Sequence, residues 1–121
     1  MNRIVLVMLL IGLLGLASAC GNTDTSPEAG QELAVLKGCS ACHAVDNNTP
    51  NKLGPSWVGL YGSQVELSDD SITTADEAYL IEAIKEPDAK IVKGYSKGSM
   101  PAIPLSEEEL NALVTYIKSI E

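Results

Sequence analysis

The 121-residue sequence contains no phenylalanine, one tryptophan and four tyrosines, so aromatic residues make up only 4% of the chain. A chain of this length forms one domain, and aromatic side chains normally supply much of the area that a core buries. We therefore expect a single domain whose centre is filled in part by something other than its own side chains. Runs of alternating polar and apolar residues are also missing, which predicts an all-α fold with long loops.

Basic residues are scarce as well. Lysine and arginine together number 8 against 16 acidic residues, which gives a formal charge of −8 and a pI near 4.5. Binding to nucleic acid through a broad basic face is excluded, because phosphate neutralisation needs clustered cations. Attachment to anionic lipid headgroups by charge alone is excluded for the same reason.

Residues 1–19 have the features of an export signal. Arg3 supplies a positive charge, an apolar run follows, and Ala17-Ser18-Ala19 is a small-residue cleavage site. The run is too short to cross about 30 Å of hydrocarbon comfortably, although a retained membrane anchor is the alternative. Cleavage after Ala19 leaves Cys20 as the first residue.

The junction before Cys20 resembles the lipobox of bacterial lipoproteins, in which the cysteine is lipidated. Ala17 stands where that family prefers leucine, and ordinary cleavage without lipidation fits the same residues. Two or three acyl chains are enough for stable membrane anchoring. We expect a signal peptide over residues 1–19, a lipidated cysteine with a flexible tether over 20–27, and one domain over 28–121.

Three segments have the signature of a helix start. Ser26-Pro27-Glu28 places proline at a first helical position, and Thr74 and Ser106 each begin a capping box that ends in glutamate. Apolar residues at three- and four-residue spacing follow each of them. Loops rich in glycine and proline separate the helices at residues 46–56 and 87–105.

The chemistry-bearing motif is Cys39-Ser40-Ala41-Cys42-His43. Its spacing is that of c-type haem attachment, in which two thiols bond the vinyl groups and the histidine binds the iron. Three alternatives are weaker. A redox disulfide of the thioredoxin type needs a βαβ context, a zinc site needs a fourth ligand, and a structural disulfide would close too small a loop to stabilise much. We therefore predict one covalent haem c.

The second axial ligand follows by elimination. His43 is the only histidine, and Met100 is the only methionine after residue 19. Met100 precedes Pro101, which restricts the backbone beside it. We predict coordination by His43 and Met100, which closes both axial positions and suits one-electron transfer.

With these ligands in place, residues 28–121 resemble the class I monohaem cytochromes c, and especially the cytochrome c domain fused to subunit II of some bacterial haem–copper oxidases. The matching segments, in order, are residues 39–43, 53–62, 75–80, 94–95 with 100–101, 105–110 and 116–117. Fused oxidases also carry a membrane subunit and copper ligands. This sequence has neither, which indicates a free-standing module on a tether.

The resemblance implies a fold and several residue roles. The first and last helices cross near the haem edge, and the carbonyl of Pro55 accepts the Nδ1 proton of His43. Trp57 lies beside the propionates, and Tyr61 and Tyr95 line the haem. The family often places an aromatic residue for the helix crossing where this sequence has Val35, and Tyr116 from the last helix is expected to compensate.

Four of the lysines lie close together before Met100, namely Lys85, Lys90, Lys93 and Lys97. On the implied fold they form a basic rim that steers an acidic redox partner, the alternative being a solvated loop. No group of residues suggests a general acid or base, so we predict an electron-transfer protein and not an enzyme.

The predicted role is a monomeric carrier on a membrane, facing the periplasm or the outer cell surface. It passes electrons in a respiratory or photosynthetic chain, from a quinol-oxidising complex to an acceptor such as a terminal oxidase. One alternative is a fixed monohaem subunit of a respiratory complex. Another is a haem-based ligand sensor in which Met100 detaches.

Overall fold

The computed structural model of the protein describes residues 24–49 and 52–121, so the predicted signal, Cys20 and residues 21–23 of the tether lie outside the described residues. Within these ranges, none of the helices combines the length and the apolar character that crossing a bilayer requires. The elements in chain order are α1 (Pro27–Leu36), α2 (Cys39–Cys42), β1 (Gln64–Glu66), β2 (Ile72–Thr74), α3 (Glu77–Lys85) and α4 (Glu107–Ser119).

Two of the three predicted helix starts are confirmed. The Ser26 side chain accepts a hydrogen bond from the Ala29 N–H at 3.2 Å, with Pro27 at the first position of α1. Ser106 and Glu109 form a reciprocal capping box at the start of α4. These bonds satisfy N–H groups that have no partner inside the helix, and the acids of the first turn complement the helix dipole.

The predicted cap of α3 is wrong by two residues. Asp76, and not Thr74, caps the helix, and its Oδ1 accepts a hydrogen bond from the Tyr79 N–H at 2.8 Å. Thr74 is instead the last residue of β2, where its Oγ1 accepts a hydrogen bond from Gln64 Nε2 at 2.9 Å. Aspartate caps a helix as well as threonine does, so pairing in the strand decides between the two positions.

A small antiparallel sheet of two three-residue strands is added to the mainly helical architecture that the sequence predicts. Strands β1 and β2 pair Val65 with Thr73, and the tight connection contains Asp70 in the left-handed region at φ 65°. With three residues in each strand, the alternation of polar and apolar side chains is too short to be detected in a sequence.

Helices α1 and α4 cross in close contact. A Cβ atom placed on Gly30 would lie 2.6 Å from the Tyr116 Cβ and 2.8 Å from the carbonyl carbon of Ala112. Ala34, one turn further along α1, is only 1% exposed, whereas Val35 is 64% exposed. The position at which the family often has an aromatic residue therefore lies outside the crossing here, because the face of α1 that carries Gly30 and Ala34 is the one that packs.

Candidate functional site

A large cavity in the described part of the chain has a volume of about 490 Å³. Its walls come from the end of α2, the loop over residues 53–57, strand β1, helix α3 and the loop over residues 87–101. This volume is within the range of cofactor sites. A cavity of this size agrees with the expectation, drawn from the scarcity of aromatic residues, that something other than side chains fills part of the centre.

The two cysteines lie on one helical turn beside this cavity. Helix α2 follows Gly38, whose φ of 79° is in the left-handed region that glycine adopts without strain. Neither cysteine is paired in a disulfide. Cys42 lines the large cavity, and Cys39 lines a neighbouring void of about 20 Å³. Burial raises the pKa of the Cys39 thiol.

His43 is 8% exposed and lines the large cavity. Its Nδ1 lies 2.7 Å from the carbonyl oxygen of Pro55, which is the contact that the resemblance implies. A carbonyl oxygen only accepts, so Nδ1 carries the proton and Nε2 keeps the lone pair that a metal needs. Burial lowers the pKa of His43 and outweighs the bond to Pro55, which favours the neutral imidazole.

Gly54 makes room for this histidine, a role that its position before Pro55 does not by itself indicate. A Cβ atom on Gly54 would lie 2.7 Å from Cε1 and 2.9 Å from Nδ1 of His43. The Gly54 N–H also donates to the carbonyl oxygen of Cys42 at 2.8 Å. The backbone at Gly54 therefore lies directly against the imidazole, where any side chain would displace the ring.

The resemblance gives roles to three aromatic residues, and the structure shows the surroundings of each. Trp57 is 5% exposed and its indole stacks on the His43 ring, with centroids 5.0 Å apart and planes within 18°. Trp57 also lines the large cavity, and its place beside the propionates stays a prediction. Tyr95 lines the large cavity, as expected. The structure does not bring Tyr61 to either cavity: its ring is 43% exposed, with Lys118 Nζ 5.0 Å from the centroid.

Met100 borders both the large cavity and the small void beside Cys39. The loop that precedes it is closed by Asp88, whose Oδ1 accepts a hydrogen bond from the Gly98 N–H at 2.7 Å. This side chain had no signal in the sequence, because the two residues are ten positions apart in a loop. Asp88 therefore helps to determine where Met100 lies.

Replacing Asp88 by alanine removes the acceptor for Gly98 and is expected to loosen the loop that carries Met100, the predicted iron ligand. A hydrogen bond of this kind contributes about 0.5–1.5 kcal/mol. The concentration of imidazole that displaces half of the methionine is therefore expected to fall roughly three- to tenfold. The red absorption band of thioether-bound ferric haem reports this displacement. Asp88→Asn keeps an oxygen acceptor and is the control, and identical titrations of Asp88→Ala and the natural protein would contradict the assignment.

The four lysines do not form the free basic rim that the sequence predicted. Three of them are paired with carboxylates, and Lys90 and Lys93 also line the cavity. Hydrogen bonds to Glu82 and to Glu66 and Asp70 raise the pKa of Lys90 and of Lys93, respectively. Both lysines therefore stay charged, and the carboxylates offset their positive charge. The pairs are Lys85–Glu107 at 3.5 Å, Lys93–Glu66 at 2.5 Å, Lys93–Asp70 at 2.9 Å, and Lys90–Glu82.

The residues around the cavity fit a haem better than a bare metal ion. Across residues 24–49 and 52–121, no group of three or more histidine, cysteine, aspartate or glutamate side chains is arranged to hold a metal ion. What borders the cavity is one imidazole, from His43, one thioether, from Met100, and the thiol of Cys42. A nitrogen and a soft sulfur ligand on one cavity, with thiols at its edge, is the donor set of a covalent haem with histidine and methionine ligands.

Comparison with known proteins agrees with this geometry. Residues 27–121 match the family model described as Cytochrome c. Over 92 residues the chain is 35% identical to cytochrome c-550 of Bradyrhizobium diazoefficiens. This aligned region covers 69% of this chain and 65% of that protein. It is 28% identical to cytochrome c4 of Stutzerimonas stutzeri over 98% of this chain and 51% of that protein. It is 26% identical to cytochrome c2 of Rhodospirillum rubrum over 87% of this chain and 88% of that protein.

The chain therefore spans about two thirds of the first of these relatives and about half of the second. The family match covers the whole described domain from the start of α1 and includes the Cys-x-x-Cys-His motif. From its motif, its cavity and this match, the chain belongs to the cytochrome c family and carries one haem c attached at Cys39 and Cys42, with His43 as the histidine of the motif.

Proposed function

We propose that this protein is a membrane-tethered electron carrier and not an enzyme. It passes single electrons in a respiratory or photosynthetic chain, from a quinol-oxidising complex to an acceptor such as a terminal oxidase. The observation that carries the proposal is that His43 and Met100 border the same cavity, next to the thiol of Cys42. A haem held by these two side chains exchanges one electron at a time through its iron.

The side chains around the cavity support transfer over catalysis. The acids that line it are Glu66 and Asp88, and both are engaged: Glu66 with Lys93 at 2.5 Å and Asp88 with the Gly98 N–H at 2.7 Å. Neither is placed as a free general acid or base. If His43 and Met100 both bind the haem iron, no position is left for an added ligand such as carbon monoxide.

The tether is proposed from the sequence. If cleavage leaves a lipidated Cys20, residues 20–26 separate the anchor from the start of α1 at Pro27. Such a stretch reaches at most about 25 Å, which keeps the domain close to the membrane surface. We therefore propose that the protein acts on partners within the same membrane, on its periplasmic or outer face.

Replacing Cys20 by serine tests the tether. The variant is expected to appear in the soluble extracellular or periplasmic fraction, while the natural protein stays with the membrane and yields an N-terminal peptide whose mass includes acyl chains. The haem spectrum should be unchanged, because Cys20 is separate from the motif cysteines. A Cys20→Ser protein that remains with the membrane would indicate the retained-anchor alternative.

The carrier role is tested with the isolated holoprotein. Reduced protein is expected to be reoxidised rapidly by membranes that contain an active terminal oxidase, and to leave its spectrum unchanged when carbon monoxide is added. Ready binding of carbon monoxide would favour the ligand sensor. Co-purification with a quinol-oxidising complex at fixed stoichiometry in mild detergent would favour the fixed subunit.

The partner contact remains proposed at the segment with Lys85, Lys90, Lys93 and Lys97. Because three of these lysines face carboxylates, we expect close packing to contribute more than long-range steering. The rate of reoxidation by oxidase-containing membranes should then depend only weakly on ionic strength. A steep decrease with added salt would instead indicate electrostatic steering.

A further inference from the structure

Trp57 is placed against the histidine ligand in a way that neither the motif nor the family match assigns. Its ring lies 5.0 Å from the His43 ring, centroid to centroid, with an angle of 18° between the planes. We propose that Trp57 is a positioning residue that fixes the plane of the His43 imidazole and stabilises the oxidised protein, which lowers the reduction potential. The proposal rests on His43 as an axial ligand, as in the proposed function.

The hydrogen bond to Pro55 does not by itself fix the plane of the His43 imidazole. A single contact of 2.7 Å between Nδ1 and a carbonyl oxygen fixes one nitrogen of the ring, but the ring is still free to turn about that direction. A flat partner packed on the face of the ring removes this freedom, because turning the imidazole would bring its edge into the indole. Trp57 is that partner, and Gly54 leaves the space for the ring beside it.

Two contacts restrain Trp57, one through its backbone and one on its indole ring. The backbone N–H of Trp57 donates to the carbonyl oxygen of Ala44, the residue after His43, at 2.9 Å. The ring of Tyr116 meets the indole edge-on, with centroids 6.3 Å apart and an angle of 82°. Tyr116 belongs to the crossing of α1 and α4, so the plane of Trp57 is determined by the most closely packed part of the fold.

The stacking also has an electrostatic consequence. The face of an aromatic ring carries negative charge density and attracts a cation within about 6 Å of its centroid. The imidazole of His43 becomes more positive when the iron it binds is oxidised. An indole face at 5.0 Å therefore stabilises the oxidised form more than the reduced form, and its loss raises the reduction potential.

Trp57 is the only tryptophan in the chain, which permits a test without changing the shape of the core. Biosynthetic incorporation of mono-, di- and trifluorotryptophan withdraws electrons from the indole face stepwise. At a fixed applied potential, we expect the ratio of oxidised to reduced holoprotein to decrease with each fluorine. The total change is roughly two- to tenfold across the series. A ratio that is the same for all four proteins would overturn the electrostatic part of the proposal.

The positioning part is tested with Trp57→Phe and Trp57→Leu holoproteins. Electron paramagnetic resonance of the oxidised form reports the orientation of the imidazole plane. We expect the spread of g values to change in the leucine variant and to lie closer to the natural protein in the phenylalanine variant. Tyr61→Leu is the matched control, since Tyr61 lines neither cavity. Unchanged g values in Trp57→Leu would overturn this part.

Both measurements use the isolated holoprotein and need no redox partner. Failure of the carrier role would therefore leave the potential and the resonance spectrum as informative as before. If Trp57→Leu does not fold, the fluorinated proteins still decide the electrostatic part. Nuclear Overhauser contacts between the indole and imidazole protons of the natural protein decide the positioning part, because their absence would contradict the stacking.

Discussion

Replacing Met100 by alanine is expected to abolish the red thioether band of the oxidised protein and to let carbon monoxide bind the reduced form completely. Met100 is the only methionine after residue 19, and it borders both the cavity at His43 and the void at Cys39. No other methionine can replace it as a ligand. The reduction potential should also fall, because a methionine ligand favours the reduced iron. Absorption spectra and carbon monoxide titrations of the purified holoprotein measure these changes.

The matched control is Ser99→Ala, which changes a neighbouring residue that lines the same cavity. Its spectrum and its indifference to carbon monoxide should match those of the natural protein. Covalent haem should remain in both variants, as the denatured mass would confirm, since the motif at Cys39, Cys42 and His43 is untouched. A Met100→Ala protein that keeps the red band would remove the predicted ligand pair, and the carrier role would lose its main support.

Gly30→Ala is expected to cost roughly 1–3 kcal/mol of the free energy of unfolding. In an exposed helix the same change is favourable by about 1 kcal/mol, because alanine has the higher helix propensity. Here the added methyl group would lie 2.6 Å from the Tyr116 Cβ and 2.8 Å from the Ala112 carbonyl carbon, so α1 and α4 would have to separate. Denaturant unfolding of the holoprotein measures the shift in midpoint.

Gln31→Ala serves as the control for this change, because Gln31 is exposed on the same helix. Its free energy of unfolding should stay within about 0.5 kcal/mol of the natural value. We also expect Gly30→Ala to disturb the haem spectrum slightly, since Tyr116 contacts Trp57 and Trp57 stacks on His43. Equal midpoints for Gly30→Ala and Gln31→Ala would mean that the two helices are not in close contact at this position.

The attachment motif and the helix starts could be predicted because they are local. The distances between Cys39, Cys42 and His43 depend on a single turn of backbone, so their spacing in the sequence is enough to indicate how far apart they lie. The caps at Ser26 and Ser106 likewise depend on residues three positions away. Met100 was found in another way, by counting the methionines that remain after residue 19.

Two predictions from the sequence were wrong, the cap of α3 and the free basic rim of lysines before Met100. Both Thr74 and Asp76 can cap a helix, and the pairing of β1 with β2 selected Asp76. The lysines before Met100 form a basic segment in the sequence. In the structure, Lys93 meets Glu66 and Asp70, carboxylates 27 and 23 residues away, and the positive charge is neutralised.

The covalent haem, its histidine and the predicted methionine could be read from residue types and their spacing alone. The surroundings of these residues depend on tertiary packing. The stacking of Trp57 on His43, the space that Gly54 leaves and the crossing at Gly30 all join residues from separate segments. Such contacts depend on how the chain folds back on itself, and the packing of side chains within a few ångströms selects them. No local pattern encodes that packing.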